Sequence, residues 1–282
     1  MSPPTPLAPT LTAGLFPPLG RDLVTLLRSL EPADWDKPTV CPAWSVRDIA
    51  AHLLDTAFRR LAVGLDHHFA PPPAQPIDDY GGLVRFLNQL NADWVQAMRR
   101  LSPRLLTDLI AWAEPQLAEH LADLDPWGEA LFPVAWAGED SSQAWFDIAR
   151  ELTERWHHQQ QIRLAVGAPP LTDPETSEAI FDSFLRALPH RYREVTAPEG
   201  TSAVFAIHGT AIYRYTLQRE ADAWRLLKGA APHPAAAVGL DEQSAWLLLT
   251  KGMPGEEARW NAVVEGDERL AQPFFDVLAV MA

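Results

Sequence analysis

The sequence predicts an α+β protein, with a helical bundle over residues 1–170 and a smaller α/β domain over residues 171–282. Two observations favour this fold class. In the first region, apolar residues recur every three or four positions, a spacing typical of amphipathic helices. Beyond a proline-containing segment at 168–175, apolar and polar residues alternate instead, as in half-buried strands. Because the period changes at that segment, we expect a domain boundary there.

Five segments of the first region are predicted to be helices with short connections, which is typical of an antiparallel bundle. The second has the clearest start, because Ser45 is a good N-cap and Asp48 completes a capping box with it. Pro115 is expected to interrupt the fourth helix, and Gly167 to end the fifth. The five segments are 15–30, 46–65, 79–101, 103–124 and 142–166.

The second region is predicted to combine short strands with helices. Its clearest strand is AIYRYTLQ at 211–218, where apolar and polar residues alternate strictly. Asp267 is a candidate cap for a last helix, which Pro273 is expected to kink. Further strands are expected at 202–209, 223–229, 236–240 and 260–266, and helices at 177–188, 241–251 and 267–281.

Composition and charge argue against several classes of function. The formal net charge of the 282 residues is −14, whereas nucleic-acid phosphates favour clustered Lys and Arg. No segment approaches the roughly 20 consecutive apolar residues of a membrane span, and the start of the chain lacks the features of a signal peptide. There is no glycine-rich phosphate loop. We therefore expect a cytoplasmic protein, monomeric or homodimeric, that acts on small molecules without binding nucleic acid or membrane.

Two histidines and a glutamate form the main candidate site. Glu154 and His158 are four residues apart, so on a helix both side chains project from the same face. His52, at the margin of the apolar stripe of the second helix, can supply a third ligand. Two imidazoles and a carboxylate leave open coordination positions on a zinc-like or iron-like cation, and an open position permits catalysis. The sequence therefore predicts a site for one divalent metal.

The fifth predicted helix also has a simpler interpretation. Amphipathic helices normally expose their polar side to solvent. In this simpler interpretation, the polar side of the fifth helix is solvated and has no chemical role. Yet the polar stripe contains no Lys or Arg, and an acidic stripe without a cation is costly unless it is exposed or holds a metal. The sequence leaves both alternatives open. The stripe consists of Asp147, Glu151, Glu154, His158 and Gln161, opposite an apolar stripe of Trp145, Ala149, Leu152 and Trp156.

Cys41 is the single cysteine and therefore cannot form an internal disulfide. It precedes Pro42 in a turn and is a candidate nucleophile. Only Arg47 is close enough in sequence to lower the pKa of its thiol. The alternative, a small half-buried residue without a chemical role, is favoured.

Two segments resemble the mycothiol-dependent maleylpyruvate isomerase family. One is PTVCPAWSVRDIAAHL at 38–53, and the other is ERWHH at 154–158, where Gly167 sets the register to His158 rather than His157. The resemblance implies a DinB-like (DinB/YfiT) metal-binding four-helix bundle over the N-terminal 170 residues. It also implies a sterol-carrier-like α/β domain after the bundle. The second domain resembles the family through AWLLLT (245–250) and EGD (265–267).

The resemblance also implies a chemistry. The metal ligands of the family correspond to His52, Glu154 and His158, and zinc is the expected ion. The metal would bind the sulfur of a low-molecular-weight thiol such as mycothiol and lower its pKa. The thiolate would then add to a small electrophilic, for example dicarboxylic, substrate for isomerisation or S-transfer. The chain departs from many relatives at Gln161, where they carry an aspartate.

Other residues are candidates for roles around the metal. Glu151, or Asp147 in its place, is expected to orient a ligand or to take a proton. Lys251 is a second catalytic candidate. Arg214 and Arg225 are candidates for binding the cofactor or an acidic substrate, and Lys251 is a further candidate for binding that substrate. The resemblance also implies a functional arginine in the second domain, and no residue of this sequence is assigned to that role.

Two other functions remain open at the level of the sequence. A metal-dependent hydrolase would hold water rather than a thiol at the open position. A non-catalytic, zinc-stabilised binding or regulatory module would use the metal for folding. Dependence of turnover on a thiol separates the first of these from the thiol-using enzyme. For the second, removal of the metal should lower the melting temperature sharply, and no thiol should affect the spectroscopy of the metal.

Overall fold

The computed structural model of the protein describes residues 3–70, 73 and 77–280. The strands are β1 (Thr5–Pro6), β2 (Ser202–His208), β3 (Ile212–Arg219), β4 (Trp224–Lys228), β5 (Ala236–Asp241) and β6 (Val263–Gly266). The helices are α1 (Phe16–Ser29), α2 (Val46–Gly64), α3 (Tyr80–Met98), α4 (Pro103–Asp123), α5 (Ala144–Val166), α6 (Pro174–Phe184), α7 (Ala187–Arg191), α8 (Glu242–Leu249), α9 (Gly255–Asn261) and α10 (Glu268–Ala271). None of the helices in the described ranges is long and apolar enough to cross a membrane.

Four of the long helices form a bundle. α1 and α2 each pack against both α4 and α5, so the four helices make a closed ring. The fifth long helix, α3, packs mainly against α2 and lies outside this ring. The predicted four-helix bundle is therefore confirmed. The fifth long helix, α3, is attached to its outside.

The start of α2 is fixed by the predicted capping box. The Ser45 side chain accepts a hydrogen bond from the Asp48 backbone N–H, and the Asp48 carboxylate accepts one from the Ser45 N–H at 3.1 Å. Arg99, just after α3, binds the same carboxylate through two nitrogens, each at 3.1 Å. Burial alone would raise the pKa of Asp48, but Arg99 and Ser45 outweigh it and hold the pKa below its ordinary value. The first turn of α2 is thereby anchored one turn before His52.

Pro115 does not interrupt its helix, contrary to the prediction. α4 runs from Pro103 to Asp123 with Pro115 inside it. Proline removes one backbone hydrogen bond from a helix interior. On either side of it, Ala113 and Leu117 are fully buried in the bundle. Packing of the adjacent turns offsets the lost hydrogen bond.

The C-terminal region is built on a six-stranded mixed sheet in the order β1-β4-β3-β2-β5-β6. β2 and β5 are parallel, and the other neighbours are antiparallel. β1 comes from the beginning of the chain, where Thr5 and Pro6 pair with Leu227 and Lys228 of β4. The α+β class is confirmed, and the sheet of the second region includes residues from the first.

Two predicted helices of the C-terminal region are wrong in extent. The segment predicted at 177–188 contains two helices, α6 and α7. The helix predicted at 267–281 is only the four residues of α10, followed by a 3-10 turn over Gln272–Asp276. Pro273 lies in that turn, where its ring prevents the α-helix from continuing. The predicted end at 281 lies outside the described residues.

The C-terminal region covers the side of α5 that the bundle leaves open. Trp156 of α5 is fully buried, and its ring centroid lies 6.5 Å from that of Phe181 and 5.9 Å from that of Trp246. Gln160 accepts a hydrogen bond from the Leu171 N–H at 2.9 Å and donates one to its carbonyl at 3.2 Å. The polar stripe lies on another side of α5 and faces α2, where Asp147 pairs with Arg60 and the imidazole of His158 meets that of His52. The solvated alternative is wrong because this stripe is buried inside the bundle. The buried members of the polar stripe are Asp147, Glu151, His158 and Gln161.

Candidate metal centre

Three side chains from two helices converge on one point between α2 and α5. His52, Glu154 and His158 each offer a ligand atom, and these atoms lie within 4.8 Å of one another. His158 Nε2 is 3.3 Å from Glu154 Oε2. The imidazole of His52 meets that of His158 edge to face, with ring centroids 4.7 Å apart. The structure thus brings together the three residues that the sequence predicts as ligands of one metal. We call His52, Glu154 and His158 the triad.

Arg155 holds α2 and α5 in register at the triad. Its guanidinium is 2% exposed and donates to the Leu53 carbonyl at 3.2 Å and to Thr56 Oγ1 at 3.1 Å, both on α2. It also pairs with Glu114 of α4. Because Leu53 directly follows His52, this one side chain from the helix of Glu154 fixes the backbone that carries His52.

The triad fits a divalent cation of the zinc type. Zinc binds imidazole nitrogen and carboxylate oxygen, and three protein ligands leave a fourth position open. His52 Nδ1 is buried and has no hydrogen-bond partner. A buried polar atom without a partner is costly, and ligation of the His52 imidazole compensates for that cost. The donor set and the unpaired nitrogen therefore both fit a metal.

The ionisation states of the triad suit metal ligands. Burial lowers the pKa of His52 well below its ordinary value, and the nearby His158 acts in the same direction. Burial alone would raise the pKa of Glu154, but the hydrogen bond and charge of His158 outweigh it, so the pKa lies well below its ordinary value. At neutral pH the His52 imidazole is neutral and Glu154 is ionised, as ligation requires.

Trp44 covers one side of the triad. Its ring centroid lies 4.8 Å from that of His52 and 6.1 Å from that of His158. The loop before α2 holds it, since the Trp44 N–H donates to the Cys41 carbonyl at 3.0 Å and Thr39 Oγ1 donates to the Trp44 carbonyl at 2.8 Å. Sequence reasoning gave Trp44 no role at the site. Its place next to the capping serine, about two helical turns before His52, is the signal that could have identified it.

Cys41 lies in the same loop but has the wrong environment for a nucleophile. It is a half-buried free cysteine. Burial raises the pKa of its thiol, whereas a reactive cysteine needs a lowered pKa. The structure agrees with the alternative of a half-buried residue without a chemical role.

Arginines neutralise the acidic stripe of α5, so the expected lack of a compensating cation is wrong. Arg60 of α2 is 3% exposed, and its Nη1 lies 2.8 Å from Asp147 Oδ2. Arg150 binds the same carboxylate at 2.7 Å. Glu151 lies 3.7 Å from Arg155 and 3.9 Å from Arg60. The proposed proton-transfer or orienting role of Glu151 and Asp147 stays a prediction, and both are held in ion pairs.

The signal for Arg60 was present in the sequence. It lies seven residues after Leu53, which is two helical turns, and therefore on the buried face of α2. A lone arginine on an apolar face indicates an acidic partner on a neighbouring helix, because buried charges are almost always paired.

The second-domain candidates lie on the sheet and just after α8. Tyr213 stacks on Phe181 of α6, so the alternation of side chains places Arg214 on the other face of the sheet. Arg225 of β4 pairs with Glu220 of the same hairpin at 3.1 Å. In the described parts of the chain, neither arginine has a hydrogen bond or ion pair with the triad. The binding roles of both arginines stay predictions.

Lys251 lies just after the C-terminal end of α8. Its backbone adopts a φ of 62°, in the left-handed region. α8 also carries Trp246, which contacts α5 beside the triad. The catalytic role of Lys251 stays a prediction.

A second layer of contacts lies behind His158, and sequence reasoning missed it. Trp246 of α8 donates its indole N–H to His157 Nδ1 at 2.9 Å. The Gln161 amide nitrogen lies 3.1 Å from His157 Nε2, and its oxygen lies 2.8 Å from His158 Nδ1. The four side chains therefore link the C-terminal region to a triad residue. No local pattern connects Trp246 to positions so far away in sequence.

Comparisons with known proteins agree with this fold. Crystal structures of the mycothiol-dependent maleylpyruvate isomerase and of a histidine-to-alanine mutant of it each match with a TM-score of 0.53 and 12% sequence identity, over 90% of this chain and 91% of that chain. At that identity the likeness shows the fold alone. No curated protein matches the chain in sequence.

Sterol carrier protein 2 from Yarrowia lipolytica matches with a TM-score of 0.23 and 14% identity, over 47% of this chain and 84% of that chain. This similarity is too low to support an argument. The family model described as the mycothiol maleylpyruvate isomerase N-terminal domain matches residues 16–163, more than half of the chain. That range contains α1 to α4, most of α5 and every residue of the triad, and the chain belongs to this family.

Proposed function

We propose that the protein is a metal-dependent enzyme that uses a low-molecular-weight thiol of the mycothiol type. It would isomerise a small electrophilic substrate or transfer the sulfur to it. The observation that carries the proposal is the convergence of His52, Glu154 and His158 within 4.8 Å. Membership of the family supports the choice of thiol and reaction. The proposal places the protein in the cytoplasm, where such thiols stay reduced.

The residues of the triad would hold the cation, for which zinc is the expected ion. When bound, a divalent metal acts as a Lewis acid that lowers the pKa of a coordinated thiol, so that the thiolate is available at neutral pH. Glu154 contributes a negative charge and His52 a neutral imidazole. Trp44 shields the two imidazoles on one side. Arg155 keeps the two helices at the spacing that the three ligands need.

An acidic substrate is supported by positive charge beside the triad. Arg59 of α2 is 39% exposed, and its charge helps to lower the pKa of the neighbouring His52. Its guanidinium binds Asp55 at 3.1 Å and Asn91 at 3.2 Å. We therefore propose Arg59 as a contact for a substrate carboxylate from the bundle side, in addition to the predicted Arg214 and Arg225.

Thiol-dependent turnover tests the proposal. The zinc-loaded chain is incubated with maleylpyruvate, and with a panel of small α,β-unsaturated acids, in the presence and absence of mycothiol. We expect consumption only when both metal and thiol are present. The His158→Ala variant should fall to background, whereas His120→Ala, which removes another buried bundle histidine, should retain turnover. Equal turnover with and without thiol would contradict the thiol and favour metal-bound water.

A further inference from the structure

The contact between Trp246 and His157 fixes the position of a proton. Both side chains are buried, with Trp246 3% exposed. An indole N–H can only donate, and here it donates to His157 Nδ1 at 2.9 Å. His157 Nδ1 must therefore be an acceptor. The ring is then neutral, and its single proton lies on Nε2.

The amide of Gln161 lies between His157 and His158. Its oxygen is 2.8 Å from His158 Nδ1, and its nitrogen is 3.1 Å from His157 Nε2. In this orientation both Trp246 and Gln161 direct a donor at His157. A neutral imidazole has only one acceptor nitrogen, so one of the two hydrogen bonds is frustrated.

For the neutral His158 that ligation requires, the amide of Gln161 has two possible arrangements. One suits the metal at His158, and the other satisfies every hydrogen bond that starts from Trp246. In the first, the amide oxygen faces His158, whose proton then lies on Nδ1 while Nε2 is free to bind a metal. In the second, the amide is turned by 180° and every hydrogen bond from Trp246 to His158 is satisfied. The His158 proton then lies on Nε2, only 3.3 Å from Glu154 Oε2, where it prevents ligation.

We infer that Trp246, acting through His157 and Gln161, opposes metal binding at His158. The inference rests on the metal site of the proposed function. Trp246 favours the second arrangement and a metal favours the first, so metal occupancy and the hydrogen bond between Trp246 and His157 weaken each other reciprocally. Trp246, His157 and Gln161 are positioning residues, because they act on the metal through the tautomer of His158.

The variant Trp246→Phe removes the indole N–H and keeps an aromatic ring in its place. His157 can then place its proton on Nδ1 and accept from Gln161, which relieves the conflict. We expect the zinc dissociation constant to fall about tenfold, the effect of one hydrogen bond. Trp224→Phe is the matched control, because Trp224 is equally buried and its N–H donates to the Val195 carbonyl at 2.9 Å, away from the site. It should leave the constant unchanged.

A second variant relieves the conflict from the other side. In Gln161→Glu a carboxylate replaces the amide and can accept from both His157 Nε2–H and His158 Nδ1–H. We expect tighter zinc binding here too, in part from the added charge. Adding Trp246→Phe to Gln161→Glu should then give no further gain, whereas independent effects would add. This comparison tests the inference even if the single tryptophan variant does not fold.

The measurements are competition titrations of the full chain with zinc against a chelator, and nitrogen NMR of the histidine rings in the metal-free protein. The inference predicts a His158 proton on Nε2 without metal and tighter binding in Trp246→Phe. Unchanged or weaker binding in that variant, or a metal-free His158 proton on Nδ1, would overturn it while leaving the metal site in place. A wild-type chain that binds no zinc would overturn the proposed site and this inference together.

Discussion

Arg155 is the residue on which the geometry of the candidate metal centre most depends. It joins α5 to the backbone of α2 beside His52 and pairs with Glu114 inside the bundle. Burial raises the pKa of Glu114, although the charge of Arg155 acts against it. A buried ion pair of this kind adds little net stability to the folded protein. Removal of only one partner is strongly destabilising, because the other charge is then buried without compensation.

The variant Arg155→Leu tests this dependence. It leaves Glu114 without its buried partner and Glu151 with Arg60 alone, and the loss of one partner of a buried pair costs ~3–5 kcal/mol. Chemical denaturation should show a free energy of unfolding lower by about that amount. Combining it with Glu114→Gln should cost less than the sum of the two single changes. Additive costs would show that the pair is not coupled.

At the residue scale, the triad itself could be predicted from sequence, but its surroundings could not. Glu154 and His158 share a helical face by their spacing alone, and the resemblance of 38–53 to a known family pointed to His52. Arg60 was missed although its place on the buried face of α2 indicates an acidic partner, and Trp246 was missed because it reaches the site from another element, α8. Their contacts depend on how helices dock, which no local spacing specifies.

At the level of elements, the sequence predicts α2 better than it predicts the surroundings of α5. The capping box at Ser45 and Asp48 is a local signal, and α2 begins where it predicts. The polar stripe of α5 is typical of a solvated helix, yet it is buried against α2 and neutralised by Arg60. Amphipathicity shows which side of a helix is polar, but it does not show what covers that side.

The cap of α2 gives a pH-dependent prediction. The pKa of Asp48 is lower in the folded protein than its ordinary value, so its ionised form stabilises the fold. That contribution is complete above the unfolded pKa of about 4 and is lost as the pH falls through the folded pKa. Asp48→Asn should therefore unfold more easily than the wild type at pH 7, by about 1 kcal/mol. The difference should shrink as the pH falls below about 4.

Denaturant unfolding of both proteins between pH 7 and pH 3 checks this prediction. Arg104→Gln provides a control, since Arg104 forms an exposed pair with Asp108 and such pairs contribute little. A difference between Asp48→Asn and the wild type that stays constant down to pH 3 would mean that the carboxylate charge does not stabilise the helix start.

For the whole molecule, one buried core extends through the bundle and the C-terminal region. Trp156 packs between them, and Trp246 reaches from α8 to His157. The strand β1 adds the beginning of the chain to the C-terminal sheet. The change of pattern near 168–175 predicted the two kinds of architecture, but it could not predict how closely they join at the candidate metal centre.

The central claim is that His52, Glu154 and His158 bind one divalent cation, and metal stoichiometry tests it most directly. The wild type, stripped of metal and dialysed against limiting zinc, should retain one equivalent by elemental analysis. His52→Ala and His158→Ala should each retain almost none, and His120→Ala should retain one. Equal zinc in the wild type and both triad variants would contradict the account.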